Sequence, residues 1–319
     1  MSAYSKKAPL LLGAIEGGGT KFVCAVGTGP SDVRASLRID TTSPQETLRR
    51  VVDFLVKESN HRLAALGIAC FGPLELDQRA DDFGSILATT KPGWSGTAIV
   101  APLRSRLAVP VAVDTDVNGA ALAEWRWGAA RGRDPALYLT VGTGIGGGAI
   151  VRGQPLHGLL HPEMGHVLLP RMRLPDGTTD TFPGVCPFHG PCFEGLVSGP
   201  ALAARLEAPA ETVGPDHPIW ELVAGYIALA LAQYVLVLSP QRLVLGGGVF
   251  QQPHLLDRVR RRLPEVLNGY IPRAEMSERV DRYIVAPRFG QEAGLMGAFA
   301  LAAQAARRAG RQGGTPDTA

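Results

Sequence analysis

Long stretches of one charge sign and long apolar runs are both scarce in this chain of 319 residues. Charged residues make up 19% of the sequence and the formal net charge is only +3, and we find no basic run of the kind that binds nucleic acid. We also find no apolar run near the ~18 residues that a membrane span needs, and no signal peptide with a cleavage site. We therefore expect a cytoplasmic protein with neither nucleic-acid nor membrane partners.

Cysteine is also scarce, with four in the chain. Cys24 and Cys70 lie in apolar runs typical of buried strands, where a free thiol packs like a small hydrophobic side chain. Cys186 and Cys192 lie in a segment rich in proline and glycine, with His189 between them. This division argues against two disulfides and favours reduced thiols, of which the second pair could hold a metal.

Apolar residues make up 45% of the chain, which indicates a folded protein, and the length suits two domains. A strand, a glycine turn and a second strand are predicted over residues 10–26, and the same order recurs over residues 136–152. This repeat indicates a duplicated α/β domain. The other predicted elements are helices at residues 45–57, 120–130, 220–237 and 292–306, and strands at residues 64–71, 109–113 and 242–245.

Glycine loops form the tips of both repeated hairpins. Residues 142–147 match the pattern G-x-G-x-x-G, but a strand follows and not the helix on which a dinucleotide pyrophosphate rests, so we reject a Rossmann fingerprint. Residues 17–21 likewise lack the order of a P-loop. Glycine lets backbone N–H groups approach phosphate oxygens, and a threonine adds a donor. Each loop alone could be only a tight turn, but the pair, with a third glycine turn at residues 246–248, favours nucleotide binding.

Asp114, Asp116 and Asn118 alternate at the end of a predicted strand, just before a predicted helix for which Asn118 is the expected cap. Ligands of α/β proteins bind at such strand ends, and a helix N-terminus favours the ionised form of Asp116. A weak base suffices for phosphoryl transfer, because positioning and charge neutralisation supply most of the catalysis. The alternative is that both aspartates only cap the helix.

Most of the polar chemistry lies between residues 161 and 194. His166, Cys186, His189 and Cys192 can close a tetrahedral zinc site that has no open coordination position, so the site would be structural. The alternative for a histidine in a loop is a solvated or hydrogen-bonding side chain, which suits His157, His161 and His217 better. A closed site would hold Glu163 and Glu194 on one surface, where they could accept hydrogen bonds from sugar hydroxyls.

Five motifs resemble those of the ROK family of sugar kinases, repressors and related proteins. They are E-G-G-G-T-K at residues 16–21, D-T-D-V-N-G-A-A at residues 114–121, E-M-G-H at residues 163–166, C-P-F-H-G-P-C-F-E at residues 186–194 and L-G-G-G at residues 245–248. Within the family the chain is most similar to bacterial fructokinases. The resemblance implies an α/β, actin-like (ribonuclease H-like) duplicated fold with two α/β domains and a central cleft. The expected domains are residues 1–118, with a helix at about 298–308 packing back, and residues 119–297. Residues 309–319 are expected to be a disordered tail.

The resemblance also implies a role for each motif. Asp116 would take the proton from the 6-hydroxyl of fructose, the cofactors would be ATP, Mg²⁺ and a structural Zn²⁺, and the protein would be a homodimer. The sugar would contact Gly72, Pro73, Thr115, Asp116, Glu163, His166 and Glu194. The nucleotide would contact Gly18, Gly19, Thr20, Lys21, Thr143, Gly144, Pro200, Gly247 and Gly248.

Three residues depart from the general family pattern. Glu16 stands where the family usually has Asp, Thr115 stands where glucokinases have Asn, and His189, at an altered spacing, replaces a cysteine ligand. The first and third departures are shared with the fructokinases. Residues 90–94 are expected to line the sugar side or to form a solvent loop. A glucokinase or mannose kinase is the nearest alternative, and a non-catalytic sugar-binding regulator is the other, although about nine residues before the first strand are too few for a helix-turn-helix.

Overall fold

The computed structural model describes residues 9–312. Residues 9–123 and 292–312 form one compact unit, here the first unit, and residues 124–291 form the second unit. The division lies within a helix, later than the expected boundary after residue 118. The start of that helix belongs to the first unit because Gly119 packs so closely on Ala69 and Gly297 that a Cβ at Gly119 would lie 2.8 Å from the Ala69 side chain.

The first unit contains a mixed sheet whose strand order is β3-β2-β1-β4-β5. β1 and β2 are antiparallel, as are β2 and β3, whereas β1, β4 and β5 run parallel. The strands are β1 (Leu12–Gly17), β2 (Lys21–Gly29), β3 (Asp32–Asp40), β4 (Ala65–Cys70) and β5 (Val111–Thr115). Every residue of β4 is buried, as expected for a strand covered on both faces. The helices are α1 (Pro44–Ser59), α2 (Val100–Leu107), α3 (Asp116–Trp127), which continues into the second unit, and α9 (Ala293–Gln312).

The second unit repeats this arrangement with the order β8-β7-β6-β9-β10. β6 and β7 are antiparallel, as are β7 and β8, and β6, β9 and β10 are parallel. The strands are β6 (Ala136–Val141), β7 (Ile145–Val151), β8 (Gln154–Pro155), β9 (Arg242–Gly246) and β10 (Ile284–Val285). The helices are α4 (Phe193–Val197), α5 (Gly199–Leu206), α6 (Ile219–Leu238), α7 (Leu255–Leu267) and α8 (Val280–Tyr283). The predicted duplication is therefore visible in the connectivity of both sheets.

Helix α6 contradicts one expectation. By length and composition it could cross a membrane, and it is the one helix within residues 9–312 that passes this test. The expectation of no such apolar run is wrong, because residues 222–238 are interrupted only weakly, by Gln233. However, 61% of its most apolar window is buried inside the protein, where it forms the centre of the core of the second unit.

Several elements differ from the sequence-based expectations. The glycine turn expected at residues 142–148 is only three residues long, because β7 begins at Ile145. The glycines at positions 146–148 pair with β6 instead, and a Cβ at Gly147 would lie 2.5 Å from the sulfur of Met164. These glycines are therefore strand residues and do not form a turn, and the absence of a Cβ at Gly147 lets Met164 pack against the strand. Helix α9 reaches Gln312, since three of the four residues after Arg308, namely Ala309, Arg311 and Gln312, favour the helix. The rest of the expected tail, residues 313–319, lies outside the described residues.

Candidate functional site

Three segments of the first unit leave its sheet along one edge. The last residues of the parallel strands β1, β4 and β5 are Gly17, Cys70 and Thr115, and they are paired across the sheet. The segments after these strands therefore emerge side by side, at the edge where ligands of α/β proteins bind. The predicted residues on or beside this edge are Gly18, Gly19, Thr20, Lys21, Gly72, Pro73, Thr115 and Asp116.

The first glycine loop, residues 18–20, is held by Thr41, which follows β3. The Thr41 hydroxyl donates to the Gly18 carbonyl at 2.8 Å and its N–H donates to the Thr20 carbonyl at 2.9 Å. A Cβ placed at Gly19 would meet nothing within 4 Å, so a ligand can approach the loop there. Sequence reasoning missed Thr41 because most residues of β3 are exposed or only partly buried, and such a strand lacks the alternation that would reveal it.

The cap of α3 is Thr115 and not Asn118. The helix begins at Asp116, and the Thr115 hydroxyl accepts the N–H of Asn118 at 3.2 Å, which is the bond of an N-cap. Asp114 is buried and accepts from both the Thr115 N–H and the Asn118 side chain at 2.8 Å. The expected cap is wrong because the helix begins at Asp116, directly after β5 and four residues before the expected start at residue 120. Asp116 becomes the first helical residue, where helix dipoles favour a carboxylate.

Trp94 is a core side chain with no exposed surface. It is fully buried, stacks on Phe22 at a centroid distance of 5.4 Å and meets Phe71 edge-on at 5.7 Å. Its indole N–H donates to the Thr42 carbonyl at 3.0 Å. Phe22 lies just after the first glycine loop in the sequence, and Phe71 directly precedes Gly72. Through these two contacts of Trp94, the segment at residues 90–94 supports the sheet edge.

The glycine loops of the second unit lie together. The loop at residues 142–144 follows β6, and its Gly142 carbonyl accepts the N–H of Gly199 at 2.7 Å. A Cβ at Gly142 would lie 3.5 Å from the nitrogen of Gly248, which follows β9. The structure thus brings together Thr143, Gly144, Gly247, Gly248 and the start of α5, where Pro200 is the second residue. Thr143, Pro200 and Gly248 are exposed.

Ile145 connects this loop to the predicted sugar-binding residues. Its N–H donates to Oε2 of Glu194 at 2.8 Å. Its carbonyl oxygen would lie only 2.0 Å from a Cβ at Gly165, so glycine is required for the short 3₁₀ helix Met164–His166 to pack on β7. Glu194 and the segment that carries Glu163 and His166 are therefore fixed to the same residue.

Glu163 has a histidine partner that sequence reasoning did not assign to the site. Nδ1 of His161 lies 3.3 Å from Oε1 of Glu163, and the imidazole is buried while about half of the glutamate side chain is exposed. His161 is therefore not a solvated side chain, and its partner is a predicted site residue. The signal in the sequence was the two-residue spacing between them.

His166, Cys186, His189 and Cys192 form one cluster whose ligand atoms all lie within 4.8 Å of one another. The Cys186 sulfur lies 3.7 Å from Nδ1 of both histidines, and the Cys192 sulfur lies 3.6 Å from Nδ1 of His166. Bonds of about 2.3 Å to sulfur and about 2.0 Å to nitrogen at tetrahedral angles give sulfur–nitrogen distances near 3.5 Å. The residues therefore fit a four-coordinate metal ion, and Nδ1 of His166 would face it.

The chain between His166 and Cys186 is held by a buried carboxylate. Asp180 accepts two hydrogen bonds from Arg205, at 3.0 and 2.8 Å, and one from the hydroxyl of Tyr226 at 2.6 Å. Burial alone would raise the pKa of Asp180, but these bonds lower it to about 2. The carboxylate thus stays ionised at neutral pH. It fixes the segment that leads to residues 186–192, here called the metal-binding loop.

Comparison with known proteins identifies the family. A family model described as the ROK family matches residues 12–305. The chain belongs to the ROK family. The family predicted from the motifs is therefore confirmed.

Other ROK proteins are similar along nearly their whole length. The fructokinase of Zymomonas mobilis subsp. mobilis is 43% identical over 297 residues, which cover 92% of this chain and 96% of that protein. The fructokinase of Lactococcus lactis subsp. cremoris is 37% identical over 291 residues, covering 91% and 96%. The structure of a ROK hexokinase from Thermus thermophilus matches with a TM-score of 0.75 at 27% identity, covering 94% of this chain and 100% of that one. The predicted actin-like, duplicated α/β fold is thus confirmed.

Proposed function

We propose that this protein is a fructokinase, which transfers the γ-phosphate of ATP to the 6-hydroxyl of D-fructose. The observation that carries this proposal is the 43% identity to a fructokinase over 92% of the chain. The residues of both units support it, since each unit presents a glycine loop and polar side chains suited to phosphate and sugar. The proposed products are fructose 6-phosphate and ADP.

In the first unit, we assign Asp116 as the base. A carboxylate oxygen of Asp116 would accept the proton of the 6-hydroxyl while the oxygen of that hydroxyl attacks the γ-phosphorus. The N–H of Val117 donates to Oδ1 at 2.8 Å, which fixes the orientation of the carboxylate. Glycines 18 and 19, Thr20 and Lys21 would donate to phosphate oxygens, and Mg²⁺ bound to ATP would neutralise part of the phosphate charge.

In the second unit, we assign Glu163, His166 and Glu194 to the sugar hydroxyls. Glu194 would use the carboxylate oxygen that does not accept from Ile145. Zn²⁺ would be held by His166, Cys186, His189 and Cys192, and Nδ1 of His166 would face the metal, so that Nε2 could donate to the sugar. The loop at residues 142–144 would contact phosphate, with Gly247, Gly248 and Pro200 on the adenosine side.

The partners of this enzyme would be ATP and a hexose. We place it in the cytoplasm, where ATP is available, and we expect a homodimer, as the family resemblance implies. The basis for both is the family, and gel filtration with light scattering would report the mass in solution. A mass of one chain, 33.7 kDa, would contradict the dimer.

The first test of the function is an assay of ADP release with Mg-ATP and a panel of sugars. Purified protein is supplied with fructose, glucose, mannose and N-acetylmannosamine in separate reactions, and the phosphorylated product is identified by NMR. We expect the highest kcat/KM on fructose and phosphate on its 6-oxygen. A higher kcat/KM on another hexose would indicate a glucokinase or mannose kinase. No turnover on any sugar would contradict the assignment as a kinase and favour a non-catalytic regulator.

A second test concerns Thr41 as the residue that braces the first glycine loop. Thr41→Val keeps the shape of the side chain but removes the hydroxyl bonded to the Gly18 carbonyl, at a cost of about 1–3 kcal/mol. We expect KM for ATP to rise roughly tenfold, since about 1.4 kcal/mol corresponds to a factor of ten, with KM for the sugar little changed.

The matched control for this test is Thr42→Val. The hydroxyl of Thr42 contacts the exposed Glu46 at 2.9 Å and makes no bond to the loop, so this variant should retain the ATP KM of the unaltered protein. Thr41→Ser should restore most of the affinity, because it keeps the donor. An unchanged KM for ATP in Thr41→Val would exclude a role for this hydrogen bond.

A further inference from the structure

Glu16 lies at the end of β1, next to the first glycine loop. Its neighbours across the sheet are Val23 on β2 and Ala69 on β4. The carboxyl group is partly buried and accepts the backbone N–H of Leu295, the third residue of α9. A carboxyl group from β1 therefore contacts the first turn of this 20-residue helix, at the end where the helix dipole attracts negative charge.

The sequence of α9 is adapted to this contact. A Cβ at Gly294 would lie 2.6 Å from Oε1 of Glu16, so only glycine lets the carboxyl group come so near the helix backbone. The same helix lies directly on the sheet, since a Cβ at Gly67 would lie 1.9 Å from the Ala298 carbonyl oxygen. Close packing at both points fixes the first turns of α9.

The N-terminal part of α9 also packs against α3, the helix that begins with the proposed base Asp116. A Cβ at Gly297 would lie 2.2 Å from the backbone carbon of Gly119, so α9 and α3 touch backbone to backbone within one turn of Asp116. Glu16 is also close enough to Asp116 for the two carboxyl groups to interact electrostatically. A movement at the N-terminus of α9 would therefore reach Asp116 through Gly297 and Gly119.

We propose that Glu16 is a positioning residue: it holds the N-terminus of α9, and through α9 and α3 it fixes the place of Asp116, without binding the magnesium ion. This inference rests on the proposed function of Asp116. It assigns a role to the glutamate that stands where the family usually has Asp, because the longer side chain reaches the helix.

The charge state of Glu16 supports this role. Burial raises its pKa, as do the charges of Asp116 and Glu292, while Lys21 and the Leu295 N–H lower it, and the result is a pKa of about 7. Folding raises this pKa from 4.5, so the folded protein favours the protonated form of Glu16. The contribution of Glu16 to folding stability is therefore fully present below about pH 4.5 and is lost as the pH rises through 7. A protonated carboxyl group still has an oxygen that can accept the Leu295 N–H, so the contact with α9 does not require the charge.

The test compares Glu16→Gln, Glu16→Asp and Glu16→Ala for kcat, KM for ATP and the Mg²⁺ concentration that gives half of the maximal rate. Glu16→Gln keeps an acceptor for the Leu295 N–H, so we expect kcat within about threefold of the unaltered protein and unchanged Mg²⁺ dependence. Glu16→Ala loses the acceptor and Glu16→Asp cannot reach the helix, so kcat should fall about tenfold or more in both, since misplacing a catalytic group by ~1 Å can cost 100-fold.

A stability measurement gives a readout that does not depend on catalysis. Thermal unfolding without Mg²⁺ should show that Glu16→Gln gains stability relative to the unaltered protein between pH 5 and pH 8, because glutamine does not ionise. A tenfold or larger loss of Mg²⁺ affinity in Glu16→Gln would show a metal ligand and overturn the proposal, as would normal kcat in both Glu16→Ala and Glu16→Asp. If the unaltered protein itself phosphorylates no sugar, the proposed function fails first, and the unfolding data still test the contact with α9.

Discussion

Asp116→Asn is expected to lower kcat by about 10²–10⁴-fold, the usual contribution of a general base. Asparagine has nearly the same shape and keeps an oxygen that can accept the N–H of Val117, which Oδ1 of Asp116 accepts at 2.8 Å. It cannot take the proton from a sugar hydroxyl. The loss should therefore be in kcat, with KM for both substrates changed little.

Binding and stability measurements separate this loss from misfolding. Calorimetry with fructose and with a non-hydrolysable ATP analogue should give affinities for Asp116→Asn within about threefold of the unaltered protein, which is less than ~0.7 kcal/mol. Asp53→Asn is the matched control, since it makes the same change at an exposed carboxylate of α1 that pairs with Arg49, and it should retain the kcat of the unaltered protein. A kcat of Asp116→Asn within tenfold of the unaltered value would reject Asp116 as the base.

Loss of the metal is expected to have the largest effect on stability. We expect about one zinc per chain in protein never exposed to chelator, and none in Cys186→Ser or Cys192→Ser. A structural zinc contributes several kcal/mol and each kcal/mol moves Tm by ~2–4 °C, so Tm of these variants should fall by on the order of 10 °C. Elemental analysis by mass spectrometry and thermal unfolding provide both readouts.

The metal-binding loop offers its own control. Phe188 lies between Cys186 and His189, its side chain is exposed and it offers no ligand atom, so Phe188→Ala should retain one zinc per chain and nearly the original Tm. Zinc removal should also weaken sugar binding, because His166 is itself a proposed ligand and Glu194 lies two residues after the proposed ligand Cys192. Protein that contains no zinc as purified, or a cysteine variant that keeps it, would contradict the four-ligand assignment.

The motifs that carry the candidate functional residues could be recognised in the sequence because the residues of each motif lie close together along the chain. Cys186, His189 and Cys192 are spaced so that one loop presents them together, and Asp116 follows a strand whose apolar residues identify it. The glycine loops follow predicted strands for the same reason. Local spacing and backbone preference, which act over a few residues, set these features.

The boundaries of these elements were less predictable. Asn118 was the expected cap, but Thr115 still pairs with Cys70 in the sheet and α3 begins at the next residue, Asp116. The glycines at positions 146–148 were expected in a turn, but they lie in β7, where the close approach of Met164 leaves no room for a Cβ at Gly147. In both places tertiary contacts override the local preference of the residues.

The sequence by itself determined the family and the duplicated hairpins, because their motifs depend on residue types at short spacing. It also predicted Asp116 as the base and the four candidate metal ligands, and these assignments stay predictions. Only the tertiary structure decided which distant residues brace them. Thr41 reaches Gly18 because β3 returns beside the first glycine loop, and Glu16 reaches Leu295 because α9 returns to β1 after the whole second unit. Such contacts depend on the order of strands in the sheet and on backbone approach distances, which no short stretch of sequence encodes.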